Sequence, residues 1–381
     1  MLLTKITSCS FLKKQGHDSR PRWKTQIEKL LNLNWKELLN IRQSEVLGLD
    51  IGSSTVKLIQ MRKDNGDYKV AAAGIAEIAN GTEDKSQIET NITKAIRKCF
   101  QSVSVKTNLA VCSVCGPEVA VRYFKFPSLQ TEEILGAILL EAEQVCPFNI
   151  GESAVEYQLI PNEDNNISGV FVAATNNLIK AKRQLVKNAS LNSVLMDVDG
   201  LALLNCLSQY ENIGTKGATA ILNVGSRFTN LAIIGDNSLP FVRDISYAGN
   251  DIVKKIAEEN KVSQETISKI LSGEEGAGLL QKELADSFAN ACRKLVDDVA
   301  DTLRYYMAQE KSGFVEKVFV CGGFSLIKGF VELLDNQLPT AAVLWNPFDK
   351  IAQDEHLQGK EVLKENGPAM AVAAGLAMRS I

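Results

Sequence analysis

The sequence predicts an α/β protein built from two related halves that face each other across a central cleft, with an α+β segment inserted in the first half. Three observations carry this. The stretch Leu47 to Met61, LGLDIGSSTVKLIQM, alternates in hydropathy, breaks over Gly52-Ser53-Ser54-Thr55 and resumes at Val56, the pattern of two strands joined by a tight turn. An imperfect copy, AILNVGSRFTNLAI, recurs at Ala220 to Ile233 and aligns Asp50 with Asn223, Gly52 with Gly225, Ser53 with Ser226 and Leu58 with Leu231. Similarity of this kind inside one chain points to two related units. After the first hairpin the pattern continues as a third strand, a helix and a fourth strand.

The tip of the first hairpin has a definite chemistry. Gly52, Ser53, Ser54 and Thr55 let backbone N–H groups and hydroxyls converge on an anion. Lys57 adds a point charge, and Asp50 can hold a divalent cation or its water. An Asp-x-Gly turn is also an ordinary hairpin former. Its recurrence favours the anion reading, because two such hairpins facing each other would grip a nucleotide from both sides.

Residues 1 to 45 stand apart, with nine Lys or Arg against four Asp or Glu. Within them Ile27, Leu31, Trp35 and Leu38 recur near helical spacing, so residues 20 to 40 are expected to form a basic amphipathic helix. It could lie on an anionic membrane surface, dock on a partner, pack on its own protein or remain a solubilising tail. From Val46 the expected order is the hairpin, a strand at Tyr68 to Ile78, a helix at Lys85 to Gln101 and a strand at Asn108 to Cys115. This is how a ribonuclease-H-like half begins.

An insert is expected at 118 to 190, with strands at Val119 to Phe126, Ala154 to Ile160 and Gly169 to Thr175. It also contains a helix from Thr131, with acids in its first turn, and a basic-faced helix at Asn176 to Ser190. The acids Glu132, Glu133, Glu141 and Glu143 read as a solvated helix face. The first half, 46 to 117, is rejoined by 191 to 215 and by 366 to 381. The second half spans 216 to 365, with a largely helical insertion at 249 to 312 and a last strand at Ala341 to Trp345. The final helix, Ala369 to Met378, repeats small residues, Ala371 with Gly375 and Ala373 with Ala377, which suits a close crossing with Asp199 to Cys206.

Composition excludes several classes. The formal net charge of −3 gives no electrostatic case for nucleic-acid binding. Eight cysteines scattered through apolar runs do not form a disulfide framework. Cys112 and Cys115 make a lone CxxC, and a structural zinc site needs about four ligands. No apolar run approaches the roughly 20 residues of a membrane-spanning helix, and a cytoplasmic location is expected.

The two loops, together with the later glycine-pair turn VFVCGGFSLIKGF (Val318 to Phe330), resemble the actin, Hsp70 and sugar-kinase superfamily. A narrower resemblance, to the PilM family of type IV pilus assembly, rests on further stretches. These are LGLDIGSSTVKLIQM, YFKFPSLQTEEILGAILLEAEQVCPF, DVDGLALLN, ISYAGNDIVKKIAEE and GPAMAVAAGLAM, and together they cover Val46 onward. The resemblance implies an actin-like ATPase fold and an insert of the kind that PilM and FtsA carry.

It further implies ATP with Mg²⁺ as cofactors. Asp50 would order the metal through water; Gly52, Ser53, Ser54, Thr55 and Lys57 would hold phosphates; Asn223, Gly225 and Ser226 would form the second loop. Gly322 and Gly323 would pass close to the adenosine, with Phe324 alongside. The alternative for the glycine pair is a plain strand-to-helix turn. Active relatives place an acid where this chain has Asn223 and a glycine where it has Arg227, so nucleotide binding is expected with hydrolysis weak or absent. The implied partner is the N-terminal cytoplasmic tail of a PilN-like membrane protein, which would hold the chain at the inner membrane. A sugar or acyl kinase is the alternative.

Overall fold

The computed structural model describes residues 46–64, 66–79, 81–160, 166–213, 217–235, 239–273, 284–309 and 314–379. The helix expected at residues 20 to 40 lies outside them.

The first half opens with β1 (Leu47–Ile51), β2 (Thr55–Asp64) and β3 (Asp67–Glu77), paired antiparallel in sequence. Every residue of β1 is buried, which makes it the central strand. Helix α1 (Lys85–Gln101) starts where the Asp84 side chain accepts from Ser86 N, an N-cap that satisfies one orphan donor. Strand β4 (Leu109–Val114) then returns parallel to β1.

The insert follows as β5 (Val119–Phe126), α2 (Thr131–Val145), β6 (Ser153–Ile160) and β7 (Ile167–Thr175). Its strands form a separate sheet in the order β5-β7-β6, and α2 covers it. The insert has its own small core, in which Phe124 and Phe171 meet Ile134, Ile138 and Ala142. Next come α3 (Asn176–Asn188), β8 (Asn192–Val198) and α4 (Asp199–Tyr210). The expectation that the insert runs to residue 190 needs correction. Ile179, Leu185 and Val186 of α3 are buried in the core of the first sheet, not in the insert's, so the insert's own layer ends with β7.

The second half repeats the pattern with β9 (Ala218–Val224), β10 (Thr229–Ile234) and β11 (Pro240–Ile245). Helices α5 (Gly249–Asn260), α6 (Gln264–Ser272) and α7 (Ala285–Met307) follow. After them come β12 (Val315–Cys321), α8 (Phe330–Gln337) and β13 (Ala342–Leu344). The sheet order is β11-β10-β9-β12-β13, with β12 and β13 parallel to β9. The first sheet has the equivalent order β3-β2-β1-β4-β8, extended by one strand.

That extra strand is a second correction. β14 (Ala352–Gln358) pairs parallel with β3, so the chain rejoins the first sheet by residue 352, before the expected position 366. It covers a sheet edge that would otherwise expose unpaired backbone groups. Helices α9 (Lys360–Asn366) and α10 (Ala371–Ala377) complete the described chain. The small residues of α10 serve the close crossing. A Cβ on Gly375 would lie 2.0 Å from Ala202 O of α4, and one on Gly48 of β1 would lie 2.0 Å from Ala373 O.

Candidate functional site

Both hairpins end in the same turn. Gly52 N donates to Thr55 O at 3.1 Å, and Gly225 N donates to Phe228 O at 3.1 Å. Each turn sits at the end of a buried central strand, so the sheets carry both tips to one place. There Ser54 Oγ and Ser226 Oγ lie 2.5 Å apart, a direct contact between the halves. The tips wall a cleft of ≈ 570 Å³.

Of the residues expected at the site, Asp50, Gly52, Ser53, Ser54, Thr55, Lys57, Asn223, Gly225, Ser226 and Gly323 line this cleft. Gly322 lies just behind it. Its φ of +93° belongs to the region that favours glycine, and a Cβ there would stand 2.4 Å from Val224 O and 2.6 Å from Asn223 Oδ1. Phe324 is a correction. It is 8% exposed and meets the Phe330 ring edge-on at 4.9 Å, so it belongs to the second core and does not border the cleft.

The two tips differ electrostatically. In the first, Asp50 and Lys57 are cross-strand partners, and Lys57 Nζ donates to Asp50 Oδ2 at 2.9 Å, with both side chains about nine-tenths buried (12% and 11% exposed). In the second, the cross-strand partners are Asn223 and Asn230, and Asn223 Nδ2 donates to Asn230 Oδ1 at 2.8 Å. Arg227 also lines the cleft, its guanidinium 5.3 Å from the centre of the Phe228 ring.

Several cleft residues escaped the sequence reading. Lys182 of α3 donates to Ile51 O at 2.7 Å and brings a second cation to the first tip. The signal was its phase, because Lys180, Arg183 and Lys187 form an exposed stripe at helical spacing and Lys182 falls on the opposite side. Asp199, in the first turn of α4, is the second acid lining the cleft. Burial pushes its carboxyl up and the Asp50 charge adds to this, while hydrogen bonds with Ser113 and Cys115 and the charge of Lys182 pull it down. Burial also holds the Cys115 thiol well above its usual range, so that thiol acts as a neutral donor.

This donor set fits a hydrated Mg²⁺ with a phosphate chain. Asp50 and Asp199, both from the first half, repel each other, and a dication beside them would relieve that repulsion. Among the described residues no group of three or more His, Cys, Asp and Glu forms a metal cage. The remaining oxygens of a bound cation would therefore be waters and phosphates, as Mg²⁺ prefers. The hydroxyls of the tips, Lys57 and Lys182 supply the positive side, and the tight Gly322 turn admits backbone where a side chain would clash.

Comparisons with known proteins agree with this architecture. The structure of a PilM-PilN type IV pilus biogenesis complex superposes with a TM-score of 0.72 at 22% identity, over 88% of this chain and 98% of that one. The ethanolamine utilization protein EutJ from Carboxydothermus hydrogenoformans gives 0.52 at 13% identity, over 93% and 99%. A diol dehydratase-reactivating factor in nucleotide-free form gives 0.50 at 10% identity, over 87% and 98%. At these identities the likeness is one of fold, and that fold is the two-lobed actin-like architecture expected from the repeated hairpins. The family described as type IV pilus assembly protein PilM matches residues 48–381, nearly the whole chain. With that match and the repeated lobes together, the chain belongs to the PilM family of type IV pilus assembly proteins.

Proposed function

We propose that the chain is an actin-like assembly platform that binds ATP with Mg²⁺ in the cleft and captures the N-terminal cytoplasmic tail of a PilN-like membrane protein. The observation that carries the nucleotide reading is the meeting of two identical turns at Ser54 and Ser226, with Lys57 and Lys182 beside them. In this reading Gly52, Ser53, Ser54 and Thr55 donate to phosphate oxygens, while Gly225 and Ser226 close on them from the other side. Asp50 orders the cation, with Asp199 as the second acid. The Gly322-Gly323 turn passes the adenosine.

Turnover is slow in this reading, because Asn223 carries no charge and Asp199 is held toward its protonated form. Asp199 is also the one observation favouring a sugar or acyl phosphotransferase, since it is an acid of raised proton affinity facing the cleft. That reading ranks second for want of an acid in the second loop, where Asn223 stands.

The tail would lie in the groove between the insert and the first sheet. Strand β6 is an edge of the three-stranded sheet, and an edge can accept an extended peptide through main-chain hydrogen bonds. The insert also exposes apolar side chains, among them Leu159 on β6 and Leu140 on α2. Among the described residues no helix is long and apolar enough to cross a membrane, so the proposed place at the cytoplasmic face of the inner membrane depends on the partner. Contact of residues 20 to 40 with anionic lipid would add to it.

Calorimetry with ATP and Mg²⁺, phosphate release, and capture of the tail peptide test the proposal. Binding without appreciable release, lost in Lys57→Ala, supports the platform; brisk release refutes it. Leu159→Asp should weaken peptide capture and leave nucleotide binding intact. Undiminished capture would move the groove elsewhere.

A further inference from the structure

The two hairpins hold equivalent cross-strand pairs but differ one strand further out. Opposite Lys57 on β3 stands Ile75, whereas opposite Asn230 on β11 stands Asp244. Both carboxylate oxygens of Asp244 are engaged: Oδ1 accepts from Asn230 Nδ2 at 2.7 Å, and Oδ2 accepts from Gly116 N at 2.5 Å. An ionised carboxylate only accepts, so it dictates the direction of each amide behind it. Asn230 must turn Nδ2 to Asp244 and Oδ1 to Asn223. Asn223 then donates Nδ2 to Asn230 and keeps Oδ1 beside the Gly322 turn, where it accepts weakly from Cys321 Sγ at 3.9 Å.

We infer that Asp244 is a positioning residue for the second loop: through Asn230 it fixes the Asn223 amide so that this position, equivalent to Asp50, presents an acceptor oxygen, with a lone pair beyond the weak Cys321 thiol contact, rather than an N–H. The acid of the second loop is thus displaced along a three-strand relay rather than deleted. The neutral oxygen can accept from a water of a hydrated cation, as a carboxylate would, but adds no charge. Its use in the cleft rests on the nucleotide reading above; the direction of the relay is a property of the unliganded chain.

The relay accommodates one acid, at either end. In Asn223→Asp, two carboxylates claim the single donor group of Asn230. In Asp244→Asn, the introduced amide gives its oxygen to Gly116 N–H and its N–H to Asn230, the relay reverses, and Asn223 exposes an N–H. With both substitutions together every donor again meets an acceptor, in the opposite direction.

A double-mutant cycle on the unliganded full chain, read by thermal unfolding, tests this. Asn223→Asp alone should lower the midpoint by several degrees, and adding Asp244→Asn should recover most of the loss. Additive effects, or a double exchange less stable than Asn223→Asp, overturn the inference. The side-chain amide ¹⁵N resonances of Asn223 and Asn230 give an independent reading, since Asp244→Asn should shift both and unshifted resonances overturn the relay. With Mg²⁺ and ATP as probe, Asp244→Asn should lower affinity about tenfold and the double exchange should restore it. If the unaltered chain binds no ATP, the nucleotide reading fails while the unfolding cycle still decides the relay.

Discussion

The first hairpin keeps its charge on the two strands that make the tip, as the buried pair Asp50 and Lys57, whereas the second makes the same tip from two amides and places its acid on the neighbouring strand. Backbone geometry is indifferent to this change, because the turn is closed by Gly52 N to Thr55 O in one and Gly225 N to Phe228 O in the other. The side chains at the paired positions are therefore free to diverge. What they cannot do is leave a buried polar group unmatched, and the second hairpin meets that condition through Asp244.

The contrast is broken most directly at the ion pair. Lys57→Ala leaves Asp50 buried without its partner, and removing one member of such a pair costs about 3–5 kcal/mol. Denaturant unfolding should show a loss near the low end of that range, and a loss under 1 kcal/mol would mean that water already screens the pair. Asn230→Ala breaks two neutral or singly charged hydrogen bonds and strands Asn223 and Asp244, for about 2 kcal/mol. If it costs more than Lys57→Ala, the second hairpin is the more tightly bound of the two.

A pH series sharpens the comparison further. Burial pushes the Asp244 carboxyl up to about 6, with Asp199 adding to the rise against the hydrogen bonds from Asn230 and Gly116 N. A carboxyl whose folded-state value lies above its unfolded value penalises the charged native form. The penalty is absent below about 4 and complete above about 6, so stability falls as pH climbs through that window, by on the order of 3 kcal/mol. Asp199, also raised, acts with the same sign. The slope should flatten in Asp244→Asn, and an unchanged slope would assign it to other groups. The smallest effect expected is that of Ser54→Ala, which removes the contact between the tips for about 1 kcal/mol. Chemical denaturation of this variant should leave the unfolding cooperative.

Much of the architecture was legible because the hairpins declare themselves twice, through alternation and through the paired glycines. The helix at Lys85–Gln101 and the strand at Val119–Phe126 have the expected bounds. β14 escaped because AQDEHLQ shows no apolar alternation: it lies on an edge, where backbone pairing rather than burial holds it. The allegiance of α3 is hidden because an apolar stripe does not say which sheet it faces. Phe324 was misplaced because an aromatic after a glycine pair suits a ring stack and a core equally well. Asp244 could be found only from register, since nothing in the sequence states that it lies opposite Asn230.

The seating of α10 between β1 and α4 has a consequence for the order in which the molecule can assemble. The five strands of the second sheet come from one continuous stretch, 218 to 344, and can pair as that stretch emerges. The first sheet cannot finish this way. Its edge strand comes from residues 352 to 358, its central strand is covered by residues 371 to 377, and the buried Arg379 guanidinium joins Asp197 of β8. Contacts across such long separations form late. During synthesis, then, the half that begins first is the half completed last, and β1, the strand that carries the Asp50 tip, is covered only once residues 371 to 377 have emerged.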